Sequence, residues 1–155
     1  MVLPDSEPGG YLPAGIHLTT LNEIRARFGT GSTARQQQMN LLQMVSEAAR
    51  NYSTIKRILL WGSFVTTKPA PNDLDYSLVV AVNHNQIEIN MEHRRFLVGV
   101  DARRFYGVDR NYLVLFDYPL EYYIEKLDFI CTTRSNRPCG IVEVHLHGEY
   151  AGGAL

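Results

Sequence analysis

The chain has 155 residues, 45% of them hydrophobic and 20% charged, with a formal net charge of −1. Such a chain is long enough for one domain that buries roughly two thirds of its unfolded surface. Its near-neutral balance excludes a global electrostatic footprint for nucleic acid or anionic membrane, so a long polyanion would need a local patch such as Arg94-Arg95 or Arg103-Arg104.

The opening MVLPDSEPGGYLP lacks the basic start and apolar run of a signal peptide. No stretch approaches the ~18 consecutive apolar residues of a membrane helix. The two cysteines, Cys131 and Cys139, have seven residues between them, which matches no common zinc motif and makes no disulfide framework. The expectation is a cytoplasmic protein, away from membranes, with two thiols of no special role.

In chain order, three prolines and three glycines among residues 1–15 predict an irregular surface arm, extending to about residue 17. Thr20-Leu21-Asn22-Glu23 has the form of a capping box and opens a helix from Leu21 to Phe28, stopped by Gly29. Ser32 or Thr33 caps a longer helix to about Tyr52, with Met39, Leu42, Val45 and Ala49 on one apolar face. Ile55 to Trp61 and Leu74 to Val82 are near-continuous apolar runs, as strands buried on both faces are. Residues 86–104 read as a helix weakened by Asn90 and β-branched residues, and broken by Gly107. Val108 to Phe116 is a third strand. Pro119, at a first helical position, opens a helix to about Cys131, and Gly140 to Leu146 is the last strand. No repeat or linker divides the chain. The expected fold class is α/β (α+β), a small mixed sheet with flanking helices.

The chemistry concentrates between the first two strands, in LLWGSFVTTKPAPNDLDYSLVV, residues 59–80. The connection is longer than the two to five residues a plain hairpin needs. In Asp73-Leu74-Asp75 the side chains alternate, so both carboxylates share one face while Leu74 turns to the core. Their Cα atoms would lie roughly 7 Å apart at about 3.3 Å per residue. Adjacent carboxylates repel, and a divalent cation reverses this: Mg²⁺ takes one or two carboxylates together with substrate phosphates. Gly62-Ser63 offers an anion close backbone approach, free N–H groups and a hydroxyl. Taken alone, Asn72-Asp73 reads equally well as turn residues bonding nearby backbone.

The full spacing is more informative. An apolar strand, Gly62-Ser63, nine residues, Asp73-Leu74-Asp75 and a second apolar strand resemble the signature of the DNA polymerase beta-like nucleotidyltransferase superfamily. The likeness is greatest to its small stand-alone, or minimal, prokaryotic members. It implies a nucleotidyltransferase core and transfer of a nucleoside monophosphate from a nucleoside triphosphate to a hydroxyl of a protein or RNA acceptor. It also implies Mg²⁺ held by Asp73, Asp75 and a third carboxylate on the neighbouring strand, for which Asp109 is the candidate. Asp101, Asp117 and Glu143 are weaker competitors. Gly62 and Ser63 would hold phosphates.

Relatives often carry a basic residue soon after the Gly-Ser pair. Here Phe64-Val65-Thr66-Thr67 fill that ground and Lys68 is the first cation, the candidate phosphate contact. Small members of the superfamily occur in toxin–antitoxin or phage-defence pairs, so a partner protein encoded nearby is implied, or a catalytically weak binding module acting through that partner. His145 and His147 form an i, i+2 pair more in keeping with polar surface residues than with a metal site. Tyr118, Tyr122 and Tyr123 fit helix-to-sheet packing better than base stacking. Arg103 and Arg104 fit a solvated helix end.

Overall fold

The computed structural model describes residues 2–106 and 114–148. Its centre is a mixed five-stranded sheet, consistent with the α+β class expected from the sequence. In chain order the strands are β1 (Gly15–Leu18), β2 (Ile55–Trp61), β3 (Asp75–Val80), β4 (Val114–Phe116) and β5 (Gly140–His145). Across the sheet they run β1-β5-β2-β3-β4. The inner pairs β5/β2 and β2/β3 are antiparallel, and the outer pairs β1/β5 and β3/β4 are parallel. The helices are α1 (Leu21–Phe28), α2 (Thr33–Ala49), α3 (Arg94–Leu97), α4 (Gly99–Tyr106) and α5 (Leu120–Ile130).

Strand alternation divides the core in two. Ile58, Leu60, Tyr76, Leu78, Val80, Val142 and Val144 face α1 to α4 in the larger cluster. The alternate residues Leu59, Val79 and Ile141 join Leu115 and Ile130 beneath α5, where Tyr122, Tyr123 and Leu127 pack. Burial on both faces explains why β2 and β3 lack polar alternation. On α2, Met39, Leu42, Val45 and Ala49 are all at most 1% exposed, so the expected apolar face is the buried one. Ser32 caps this helix through its hydroxyl, which accepts from the Arg35 N–H at 3.2 Å. In the Thr20 box, the threonine accepts from Glu23 N–H at 3.3 Å, while the Glu23 carboxylate receives the Leu3 N–H at 3.4 Å.

Two expectations change substantially, and a third in a helix boundary. The first concerns the N-terminal segment, which is irregular over residues 2–14 as expected but is not merely laid on the surface. Leu3 and Leu12 enter the main core. Gly15–Leu18 forms β1, an edge strand beside β5, although GIHL is too short to carry a legible pattern. Arg27 ties the segment down, donating to Pro4 O at 2.9 Å and to the Ser6 hydroxyl at 3.2 Å. The Gly140 N–H donates to Leu12 O at 3.0 Å. A Cβ at Gly140 would lie 2.6 Å from the Leu12 Cβ, so only glycine admits this approach.

The second concerns residues 86–104, which do not form one helix. Two single 3₁₀ turns, Gln86–Glu88 and Met91–His93, precede the short α3, and Val98 is extended before α4 begins. Phe96, Leu97 and Val98 are all buried. Three successive residues cover roughly 200° of a helix circumference, too wide an arc for one packing surface, and the extended step at Val98 lets all three enter the core. The third strand is seen as Val114–Phe116, and the rest of its expected span, 108–113, lies outside the described residues. The last helix begins at Leu120, with Pro119 as its cap residue rather than its first helical residue. No helix among the described residues is long and apolar enough to cross a membrane.

Because Leu12 is fully buried, Leu12→Ala should cost about 2–5 kcal/mol in urea denaturation. A loss below about 0.5 kcal/mol would mean that the segment is only laid on the surface.

Candidate active site

The register of β2 against β3 brings the two halves of the motif together. Trp61 pairs with Asp75, so Gly62 leaves β2 directly beside the point where Asp75 enters β3. Gly62 has φ +73°, in the left-handed region that favours glycine. A Cβ there would collide with the Asp75 carboxylate and lie 3.1 Å from its Cγ. The absent side chain is therefore what lets backbone and carboxylate meet. Gly62–Val65 forms one 3₁₀ turn, too short to supply a helix dipole. The Ser63 carbonyl closes it, accepting from Thr66 N–H at 3.2 Å and from the Thr66 hydroxyl at 2.7 Å. The Ser63 hydroxyl makes no hydrogen bond to a described group.

Leu74 is buried in the main core, while Asp73 is exposed and Asp75 half-buried on the α5 side. The alternation expected of Asp73-Leu74-Asp75 is thus present. Both carboxylates line a cleft of about 780 Å³ at this end of the sheet, together with Gly62, Ser63 and Lys68. The N-terminal segment contributes Gly9, Gly10 and Tyr11 to one wall, and the loop after α5 contributes Thr132 to Ser135 to another. Thr67 N–H donates to Gly10 O at 3.0 Å, joining the N-terminal wall to the motif loop.

A residue that the sequence did not single out holds that loop in place. Arg35, in the first turn of α2, is 6% exposed. Its guanidinium donates to Phe28 O at 3.1 Å, Phe64 O at 2.8 Å and Thr66 O at 2.7 Å, and also to Lys68 O. Burial pushes its pKa down, yet arginine stays charged, and carbonyl dipoles serve its donors here. One turn further on, the Gln38 amide donates to Pro71 O at 2.5 Å. The visible signal was Arg35 on the apolar stripe of α2, four residues before Met39, where a charge is out of place.

The other candidates fall elsewhere. Asp109 lies outside the described residues. The described part of its expected strand, β4, pairs in parallel with β3. Asp101 pairs with Arg94 at 3.0 Å, Asp117 with Lys56 at 2.8 Å and Glu143 with Arg57 at 2.7 Å, and none of the three lines the cleft. His145 faces Glu143 at 3.5 Å, whereas His147 Nε2 lies 3.1 Å from the carbonyls of Tyr52 and Ile55. Tyr122 and Tyr123 pack in the second core and Tyr118 is exposed. Arg103 and Arg104 are exposed near the end of α4. Cys139 lines the cleft, and burial, with Cys139 and Asp128 adding to it, pushes the Cys131 thiol up to about 11. Both cysteines are free. Among the described residues, no three His, Cys, Asp or Glu side chains are grouped as a metal site, so the described part of the implied set is Asp73 and Asp75.

A family model described as "Family of unknown function (DUF6932)" matches residues 4–145, and the chain belongs to that family. The match takes in the N-terminal segment, the motif loop and all five strands. Neither the curated proteins nor the solved structures contain a match.

Arg35→Gln would leave several buried carbonyls without their donor, and should cost about 3 kcal/mol in denaturant unfolding. Amide exchange at residues 64–68 should accelerate more than exchange in β2. Uniform acceleration across the chain would contradict a local clamp.

Proposed function

We propose that this protein is a Mg²⁺-dependent nucleotidyltransferase that moves a nucleoside monophosphate from a nucleoside triphosphate to a hydroxyl of a protein or RNA acceptor. The observation that carries the reading is the meeting of Gly62-Ser63 with Asp73 and Asp75 in one cleft, through the Trp61–Asp75 register. The donor set suits a hard cation, since both described ligands are carboxylates and the glycine cradle keeps side-chain bulk away from one of them. Asp73 and Asp75 would hold Mg²⁺, joined by Asp109 on the resemblance. The metal, when bound, supplies charge neutralisation and lowers the pKa of the acceptor hydroxyl.

The chain's own part is positioning. The Gly62 backbone approaches the phosphates, the Ser63 hydroxyl donates to them, and Lys68 offsets their charge. The acceptor oxygen forms a bond to the α-phosphorus, the bond from that phosphorus to the α,β-bridging oxygen breaks, and pyrophosphate leaves. The acceptor's proton passes to a carboxylate, for which Asp109 is the candidate, or to water. Such chemistry draws on cytoplasmic nucleotide pools and fits a cytoplasmic protein. Small members of the superfamily that the motif resembles occur in toxin–antitoxin or phage-defence pairs, which favours a partner protein encoded nearby.

The test is label transfer from α-phosphate-labelled triphosphates to RNA, cell extract or a co-purifying protein. Asp75→Asn and Asp73→Ala should each lower transfer roughly 100-fold or more, and EDTA should abolish it. Equal labelling by Asp73→Ala and wild type would overturn the reading. Binding of Mg²⁺ and triphosphate without transfer would point instead to a binding module that acts through its partner.

A further inference from the structure

We propose that the tight loop between α5 and β5 supplies a polyphosphate-binding residue, Arg134, which with Lys68 holds the phosphates not transferred. The inference rests on the transferase reading for its nucleoside, and adds the basic support missing from residues 64–67. Arg134 and Lys68 both line the cleft that holds Asp73 and Asp75. Both are exposed, and neither side chain makes a hydrogen bond or ion pair with a described residue.

The loop that carries Arg134 has a backbone fixed by its own hydrogen bonds. Thr132 and Pro138 form an antiparallel bridge. Inside it, Thr133 N–H donates to Arg137 O at 2.8 Å and Asn136 N–H to Thr133 O at 2.9 Å. Asn136 has φ 63°, so a turn followed by a left-handed residue closes a three-residue loop, 134–136. The neighbouring hydroxyls are already engaged: Thr132 donates to Asp128 O at 2.7 Å, and those of Thr133 and Ser135 lie 3.0 Å apart. Of the tip residues, Arg134 and Ser135 line the cleft, and of these two Arg134 has the side chain left to meet a ligand.

The chemical class follows from what shares the cleft. A simple anion would suit the two cations but be repelled by Asp73 and Asp75, and a bare metal ion would do the reverse. A metal-bound polyphosphate satisfies both, because its cation sits on the carboxylates while its outer oxygens carry charge to Lys68 and Arg134. Arginine's planar fork suits bidentate contact with such oxygens, and lysine acts as a point charge.

Calorimetry of the full chain with inorganic tripolyphosphate and Mg²⁺ tests this without a nucleoside. Arg134→Gln should weaken binding roughly tenfold to a hundredfold, the range of one or two charge-assisted hydrogen bonds, and Arg134→Lys should lose less. Arg137→Gln, in the same loop but outside the cleft, should change affinity less than about twofold. No binding by wild type at millimolar tripolyphosphate, unchanged binding by Arg134→Gln, or equal loss in both glutamine variants would overturn the proposal. The two readings fail separately. Loss of tripolyphosphate binding in Arg134→Gln with no nucleotidyl transfer by wild type keeps the site and removes the transferase. Transfer by wild type with unchanged binding by Arg134→Gln does the opposite.

Discussion

A buried guanidinium holds the candidate site together. Arg35 reaches from α2 to the carbonyls of Phe64, Thr66 and Lys68, and so fixes the path of the chain just after Gly62-Ser63. Burying a charge without a carboxylate partner is expensive, and four carbonyl acceptors, one of them from Phe28 at the end of α1, are what make it tolerable. The consequence is mechanical. The loop's path is set by a helix packed in the main core, so stability of that core and geometry of the cleft are coupled. Gln38 extends the same control to Pro71, just before the carboxylates.

Around that clamp the cleft collects opposite charges from separate parts of the chain. Asp73 and Asp75 come from the approach to β3 and its first residue, Lys68 from the clamped loop, and Arg134 from the turn after α5. Neither the Lys68 nor the Arg134 side chain pairs with a described residue. A metal-bound polyphosphate would bridge the two signs of charge, which links the proposed transferase chemistry to the proposed role of Arg134. The N-terminal segment closes one side, held by Leu12 in the core and by the Gly10–Thr67 hydrogen bond. Its contribution to the cleft is therefore structural as well as spatial.

How legible this was depended on the range of the interactions. Helix α1 and strand β2 begin and end where their caps and apolar runs predict, because local chemistry decides them. The side-chain alternation of Asp73-Leu74-Asp75 is likewise local. The N-terminal segment was misread because its structure depends on β5, more than 120 residues away, and GIHL has no pattern of its own. The break at Val98 was hidden because helical propensity says nothing of how many successive residues must be buried. Arg35 left a faint trace, a charge on an apolar stripe, but its acceptors are about 30 residues distant. Arg134 left none, since an arginine in a polar loop reads as solvated until the fold places that loop beside two carboxylates.

The central claim is that one cleft binds both metal and phosphate, and Mn²⁺ in place of Mg²⁺ reads it directly through paramagnetic broadening of backbone amide signals. The account predicts that Gly62, Ser63, Asp73 and Asp75 broaden first, that tripolyphosphate extends the broadening to Lys68 and Arg134, and that Asp75→Asn removes both effects. Broadening centred on His84, His93 and His147, away from the cleft, or none at all at millimolar Mn²⁺, would contradict it.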